Sequence, residues 1–342
     1  MDSITQAALG ATLAGAVAGK TLGRSALLTG ALLGTLPDLD VVIDYGTAVA
    51  NFTQHRGFSH SLFVLAPLAT ILAWLLWRWK PQLSFQRWLA LTGLILITHP
   101  LLDAFTTYGT QLFWPVGRPV AINSIFIIDP LYTLPLLAGC IAFLMRPPAK
   151  TAILAGLALS TLYLGWSVAA QQIITQRVQP ALAEAGLASP DLMVQPMPFN
   201  TLLWRATAIE GDQRVEIVTG FLDGGAPLNL QYFPRRRDLA RAVEHLPEAQ
   251  RLEWFTGGFL AYSQSGGRIM ATDIRLGIPG AHPFTFVLAT ENGSNIEPTA
   301  SFRTPRPDVN TEALGLLWSR MTGKTPVLCL ASLRAPAPGE HC

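Results

Sequence analysis

The run Thr98-His-Pro-Leu-Leu-Asp103 closes an apolar segment that begins near Trp88, and its reading decides the fold. His99 and Asp103 are four residues apart. On a helix the imidazole and the carboxylate therefore leave one face, one turn apart, as two ligands of one metal ion require. Inside a bilayer an ionisable side chain costs at least ~2.5 kcal/mol, so such residues have a partner and a role. The pair reads either as a His to Asp hydrogen bond locking two helices or as part of a metal site. The sequence around it favours the second.

Only 13% of the 342 residues are charged and the mean hydropathy is +0.35, where an ordinary soluble protein has about a quarter charged. Membrane spans are expected. The net charge of +2 offers nothing to a polyanion, so no nucleic-acid partner is expected. Six apolar runs read as helices. Residues 4–19 and 25–36 are short and rich in Gly and Ala, either tilted spans or a hairpin packed through small residues. Residues 59–79 end on Trp74, Trp77, Arg78, Trp79 and Lys80, an interfacial signature. Residues 88–105, 130–145 and 151–174 follow. Asp2 in place of a basic opening, with no small-residue cleavage site, predicts that the first run is not a cleavable signal.

Threading these runs back and forth sorts the charges. One face receives Lys20, Arg24, Arg78, Lys80, Arg87, Arg146 and Lys150, and the other Asp2, Asp38, Asp40, Asp44, His55, Arg56, His60, Asp103, Arg118 and Asp129. The positive-inside rule makes the first face cytoplasmic. The expected protein is a multi-pass bacterial inner-membrane protein with its acid and imidazole groups, and everything after Ile174, on the periplasmic side.

From about Gln176 the composition becomes soluble in type, which divides the chain into a helical membrane bundle over 1–175 and an extracytoplasmic, mostly antiparallel α+β domain over 176–342. Residues 201–218 and 228–233 carry β-formers, and residues 251–260 and 269–276 flank the turn Ser265-Gly-Gly as a hairpin. Residues 236–245 and 311–321 read as helices, the latter with Leu314, Leu317 and Trp318 on one stripe. The cysteines match no zinc-finger spacing. Cys140 reads as a packed residue in a span. Cys329 and Cys342 would lie in an oxidising compartment, but unpaired thiols are the favoured reading.

Four separate pieces bring acid or imidazole to one membrane face: Leu36-Pro-Asp-Leu-Asp40, His55-Arg-Gly-Phe-Ser-His60, the pair His99 and Asp103, and Ile128-Asp129-Pro130. Each has a plain reading of its own. Asp38 and Asp40 suit a helix end, His55 a solvated loop, Ser59 a helix cap, and Asp129 an N-cap before Pro130. Their convergence fits a mixed nitrogen and oxygen metal site. Asp40, His55, His60, His99 and Asp103 are the expected ligands and zinc the expected ion, one or two per chain. Asp38 and Asp129 are candidate proton acceptors, with Asp38 and His55 also readable as additional ligands or as outer partners of the ligands, and Arg56, less so Arg118, a candidate phosphate clamp.

The motifs also carry a resemblance. Met1-Asp-Ser-Ile-Thr-Gln-Ala-Ala-Leu-Gly10, Pro37-Asp-Leu-Asp40, His55-Arg-Gly-Phe-Ser-His-Ser61, His99-Pro-Leu-Leu-Asp-Ala-Phe-Thr-Thr-Tyr-Gly109 and Phe113-Trp-Pro115 resemble the membrane-bound, metal-dependent hydrolase family called YdjM-like, over residues 1–149. The resemblance implies an inner-membrane hydrolase with a divalent metal. Members commonly carry a His where this chain has Gln6, which leaves either one ligand fewer or a weaker polar contact. More distantly, the spacing of Asp40, His60, His99 and Asp103 is similar to that of the zinc-dependent phospholipase C and P1-nuclease group.

The expected activity is hydrolysis of a lipid or lipid-linked phosphoester at the outer face of the membrane, the metal activating water near neutral pH. Two other classes stand beside it. One is an assembly or signalling protein in which a closed metal site ties helices together. The other, a metal or solute transporter, would carry polar residues through the full bilayer depth, and here the inner halves of the runs are almost wholly apolar.

Overall fold

A computed structural model describes residues 1–187, 190–293, 295–306, 311–324, 327–332, 334–335 and 342. The chain divides into two compact units. The first comprises residues 1–43, 54–169 and 198–200, and the second residues 44–53, 170–197 and 201–342.

The first unit is helical. Its elements are α1 (Ser3–Leu22), α2 (Arg24–Thr35), α4 (Leu62–Trp79), α5 (Phe85–Asp103), α6 (Pro130–Met145) and the start of α7 (Lys150–Glu184). All six apolar runs are thus helices, but only α4 and α7 are long and apolar enough to cross a membrane by length and composition. The expectation of six spans is corrected to two such helices. α2, at 12 residues, rises ~18 Å against a hydrocarbon core of ~30 Å. α6 is apolar but has 16 residues, and α5 carries Arg87, His99 and Asp103 among its apolar residues.

α1 and α2 form the hairpin that their small residues suggest. A Cβ on Gly30 would stand 2.1 Å from the Gly10 carbonyl oxygen, so the two backbones meet where no larger residue fits. Ala14, Ala18, Ala26, Leu27 and Phe143 bury a core with Trp88 and Leu91 beneath that crossing. α4 lies at the other extreme. Only 17% of it is buried, and Phe63, Ile71, Trp74, Leu75 and Trp79 are exposed. A core helix of a soluble protein would bury such a surface.

The second unit holds two four-stranded antiparallel meanders. The first runs β1 (Asp191–Pro196), β2 (Leu203–Glu210), β3 (Gln213–Gly220), β4 (Gln231–Pro234), and the second β5 (Leu260–Ser265), β6 (Arg268–Asp273), β7 (Thr285–Asn292), β8 (Asn295–Arg303). Ala170, Ile174, Val178 and Leu182, at the end of α7, bury against Val194, Trp204, Ala206 and Val215. The helix runs unbroken past 175 for that reason, so the boundary drawn at 175 and 176 falls inside it. Arg205 pairs with Glu216 through two bonds of 2.8 Å and donates to the Ile274 carbonyl at 2.8 Å, linking the sheets.

The hairpin at Gly266 and Gly267 forms between β5 and β6, but residues 251–256, expected as strand, belong to α9 (Pro247–Thr256). Pro247 at its first turn and Gly257 at φ +63° bracket the helix, and Ala249, Leu252 and Phe255 bury one helical face, a spacing no strand gives. α8 (Arg237–Val243) and α10 (Thr311–Met321) complete the unit with the short α3 (Ala48–Gln54). On α10 the apolar stripe passes through Leu316, Leu317 and Met321, while Trp318 is exposed. The side chain of Leu314 lies outside the described residues. Cys329 and Cys342 form a disulfide, against the favoured reading of unpaired thiols, and Cys140 is buried and free.

Candidate metal centre

The last turn of α5 presents His99 and Asp103 on one face, as their spacing requires, with His99 Nε2 3.5 Å from Asp103 Oδ2. Facing them is His60, at the end of a 3₁₀ turn over Phe58–His60. Ser61, not Ser59, caps α4 behind it. A second 3₁₀ turn over Pro37–Val42 follows α2 and delivers Asp38.

Among the described residues, Asp38, His60, His99 and Asp103 are the group that could hold a metal ion. His60 Nε2 stands 3.1 Å from His99 Nε2, 3.2 Å from Asp103 Oδ2 and 3.4 Å from Asp38 Oδ1. His99 Nε2 to Asp38 Oδ1 is also 3.4 Å. Four ligands about 2.05 Å from a tetrahedral ion stand about 3.3 Å apart; the five distances that involve His60 or His99 are close to that, and all four atoms lie within 4.8 Å of one another.

The placement of protons leads to the same conclusion. His99 Nδ1 lies 2.7 Å from the Gly34 carbonyl, which only accepts, so that nitrogen carries the hydrogen and Nε2 a lone pair. Ser59 Oγ donates to Asp40 Oδ2 at 2.6 Å, so it accepts from His60 Nδ1 at 2.9 Å, and His60 Nε2 also presents a lone pair. Two imidazole lone pairs and two carboxylate oxygens converge with no donor among them. Asp103 Oδ2 is buried without a hydrogen-bond partner. Such a set can hold a cation. Protons compete for it. Burial pushes the His60 imidazole down, but Asp103 and Asp38 outweigh burial and raise it.

A second tier fixes these side chains. Asp103 Oδ1 meets the Met1 amino group and accepts from Gln6 Nε2 at 3.1 Å. Gln6 also donates to the His99 carbonyl, which makes it the polar contact of the two roles open to it. Asp40 Oδ1 holds His55 Nδ1 at 2.8 Å, and Oδ2 accepts from the Arg56 backbone N–H at 2.9 Å. Burial raises the Asp40 carboxyl, but the bonds from His55 and Ser59 outweigh it and hold it below its ordinary value.

Of the five residues expected as ligands, the group therefore contains His60, His99 and Asp103. Its fourth member is Asp38, expected as a proton acceptor or as an additional ligand. Asp40 and His55 pair with each other in the second tier. Arg56, expected to clamp phosphate, is 3% exposed. Its Nε lies 3.3 Å from Asp103 Oδ2, and its Nη2 donates to the Met1 carbonyl at 3.3 Å, so it orients a ligand and does not face solvent. Asp129 caps α6 and accepts from Tyr163, apart from the four. Arg118 is exposed. Gly34 and Ser59 were not singled out as supports of the site. Gly34 acts through its carbonyl, which no side-chain pattern reveals.

The comparisons with known proteins fall on the unit that holds this centre. The family model described as YdjM inner membrane protein matches residues 1–174, just over half of the chain. The Escherichia coli (strain K12) inner membrane protein YbcI is 34% identical over 112 residues, 32% of this chain and 64% of that protein. The uncharacterized protein YfhP of Bacillus subtilis (strain 168) is 30% identical over 138 residues, 38% of this chain and 42% of that protein. The chain thus covers less than two thirds of either relative. No solved structure matches the chain. The matched span contains all four converging residues and their supports, and on it the chain belongs to the YdjM inner membrane protein family.

Proposed function

We propose that the protein is a metal-dependent hydrolase, with zinc as its ion, acting on a lipid or lipid-linked phosphoester at the periplasmic face of the inner membrane. The observation that carries this reading is the convergence of four hydrogen-bond acceptors, and no donor among them, within 4.8 Å of one another, with His60 and His99 each 3.1–3.5 Å from the other three. Asp38, His60, His99 and Asp103 would hold the ion, which when bound supplies a Lewis acid that activates water and polarises a phosphoryl oxygen. Asp38 is the ligand open to the surface, with 16% of its side chain exposed while the other three are buried. His55, with Nδ1 fixed by Asp40 and 26% of its side chain exposed, is the imidazole placed to accept a proton at Nε2.

Three features support the location. Exposed Leu39, Val41 and Val42 on the turn of Asp38, with Phe58 and Phe63 beside His60, suit an acyl-chain environment. The basic residues Arg78 and Lys80 at the end of α4 and Lys150 at the start of α7, the two helices apolar enough to cross, support a periplasmic site by the positive-inside rule. The disulfide between Cys329 and Cys342 suits an oxidising compartment.

A second reading has its own observation. Four protein ligands fill a tetrahedral shell, as in structural zinc sites. Elemental analysis of the protein in detergent, with hydrolysis of phospholipid vesicles and a chromogenic phosphodiester, decides between them. About one zinc per chain, turnover abolished by chelator, and loss of both in His99→Ala and Asp103→Ala are the expected results. Tightly held zinc without turnover would leave the ion a structural tie, and protein without metal would remove both readings.

A further inference from the structure

Between Asp40 and His55 the chain makes an excursion whose feet are pinned together. Asp40 Oδ1 binds His55 Nδ1 at 2.8 Å and Asp40 Oδ2 binds the Arg56 N–H at 2.9 Å. Residues 44–53, the body of this excursion, belong to the C-terminal unit although the sequence on either side belongs to the helical one. A helix as short as α3 has no stability of its own in water, so its place is set by what it packs on.

That packing is specific. The Phe52 ring sits 5.2 Å from Phe255, 4.6 Å from Phe284 and 5.2 Å from Phe286, centroid to centroid. Arg251 on α9 donates from Nε to Thr53 Oγ1 at 3.0 Å and from Nη2 to the Thr53 carbonyl at 3.1 Å. Ser301 on β8 accepts from the Val49 N–H at 3.1 Å and donates to Glu248 at 2.8 Å. Val49 and Thr53 are fully buried in this grip.

The two ends of the excursion lead into the metal centre. Asp38 is two residues before the first foot and His60 five after the second. Asp38 rides on a 3₁₀ turn whose Leu39, Val41 and Val42 are exposed, so little packing of its own holds that turn. We propose that the C-terminal domain is a positioning element of the metal centre, acting through residues 44–53, with Arg251 as its chief positioning residue. The inference rests on the metal-binding reading above. On it, the second domain holds the chain between two ligand-bearing turns and thereby sets Asp38 against the three buried ligands.

Cobalt(II) is the probe, titrated into metal-stripped full-length protein in detergent, with affinity and the visible absorption of a tetrahedral ion as readouts. Losing an outer support of a metal ligand costs about 10–100-fold in affinity. Arg251 acts one step further out, so Arg251→Ala is expected to weaken cobalt about tenfold and alter the absorption, and Arg251→Lys to restore part of it. Arg320→Ala is the control, because it breaks the buried pair with Asp223 in the same domain without touching residues 44–53. Cobalt binding weakened in Arg251→Ala but kept in Arg320→Ala supports the proposal. Equal weakening in both reduces it to general destabilisation and overturns it, as does unchanged binding in Arg251→Ala. Wild-type protein that binds no cobalt removes the metal site itself, and this inference with it.

Discussion

At the scale of single residues, the two histidines of His55-Arg-Gly-Phe-Ser-His60 take separate places, and the proposed function gives them separate roles. His60 turns Nε2 toward three other acceptors, while His55 is held by Asp40 with its ring 6.2 Å from that of His60. His55→Gln is therefore expected to retain full metal content and to lower turnover by about 10²- to 10⁴-fold, the usual contribution of a general acid or base. Measuring zinc and rate on the same preparation checks it, and parallel loss of both would return His55 to the ligands. The i, i+4 pair His99 and Asp103 was legible because a helix has one periodicity. The choice between Asp38 and Asp40 was not. Successive residues on a 3₁₀ turn are about 120° apart, so two carboxylates two positions apart face different ways. Which one meets the imidazoles depends on how α2 enters the turn.

At the scale of elements, the α1–α2 crossing does more than fill space. α2 ends at the Gly34 carbonyl that fixes His99 and leads directly into the turn of Asp38, so its approach to α1 sets two parts of the centre. Gly30→Ala would drive a methyl group into the Gly10 backbone, and overpacking of this kind costs about 1–3 kcal/mol. A lower thermal midpoint in detergent, together with weaker zinc binding, is expected. Gly93→Ala on α5 serves as the comparison, because nothing lies within 4 Å of its added Cβ. If both variants melt like the wild type, the crossing is looser than described. The hairpin was legible from its small residues. The number of crossing helices was not, because apolar character marks a buried helix and a lipid-facing one alike, and burial separates them only after folding. α9 was hidden for a related reason: Trp254 and Phe255 favour strands, and only the buried spacing of Leu252 and Phe255 with the Gly257 cap makes the helix.

At the scale of the whole molecule, the sequence announced a helical region followed by a mostly antiparallel one, and the structure has that order. It did not announce that residues 44–53 fold with the distant half, because the grip of Arg251 and the phenylalanines on α3 is a long-range contact with no local pattern. The second unit also carries a pH dependence of its own. His282 Nδ1 donates to the Leu276 carbonyl at 2.7 Å, and its Nε2 accepts from Arg214 at 2.9 Å, an arrangement that only the neutral ring satisfies. Burial, then the charges of Arg205 and Arg214, push it down to about 3 from the ordinary 6.5. In between, the unfolded chain binds a proton that the folded one refuses, so stability is whole above pH 6.5 and drains away as pH falls toward about 3. One proton sets a ceiling of about 1.4 kcal/mol per pH unit, which partial exposure of the ring reduces. Glu216 acts in the same direction. Burial raises it, but Arg205 and Arg214 outweigh burial and hold it below the ordinary 4.5, so its share too is lost in acid. Thermal midpoints of the full chain, stripped of metal and measured from pH 7 to 4, are expected to fall more steeply in the wild type than in His282→Gln. Parallel slopes would mean that the imidazole takes up its proton while the sheets remain folded.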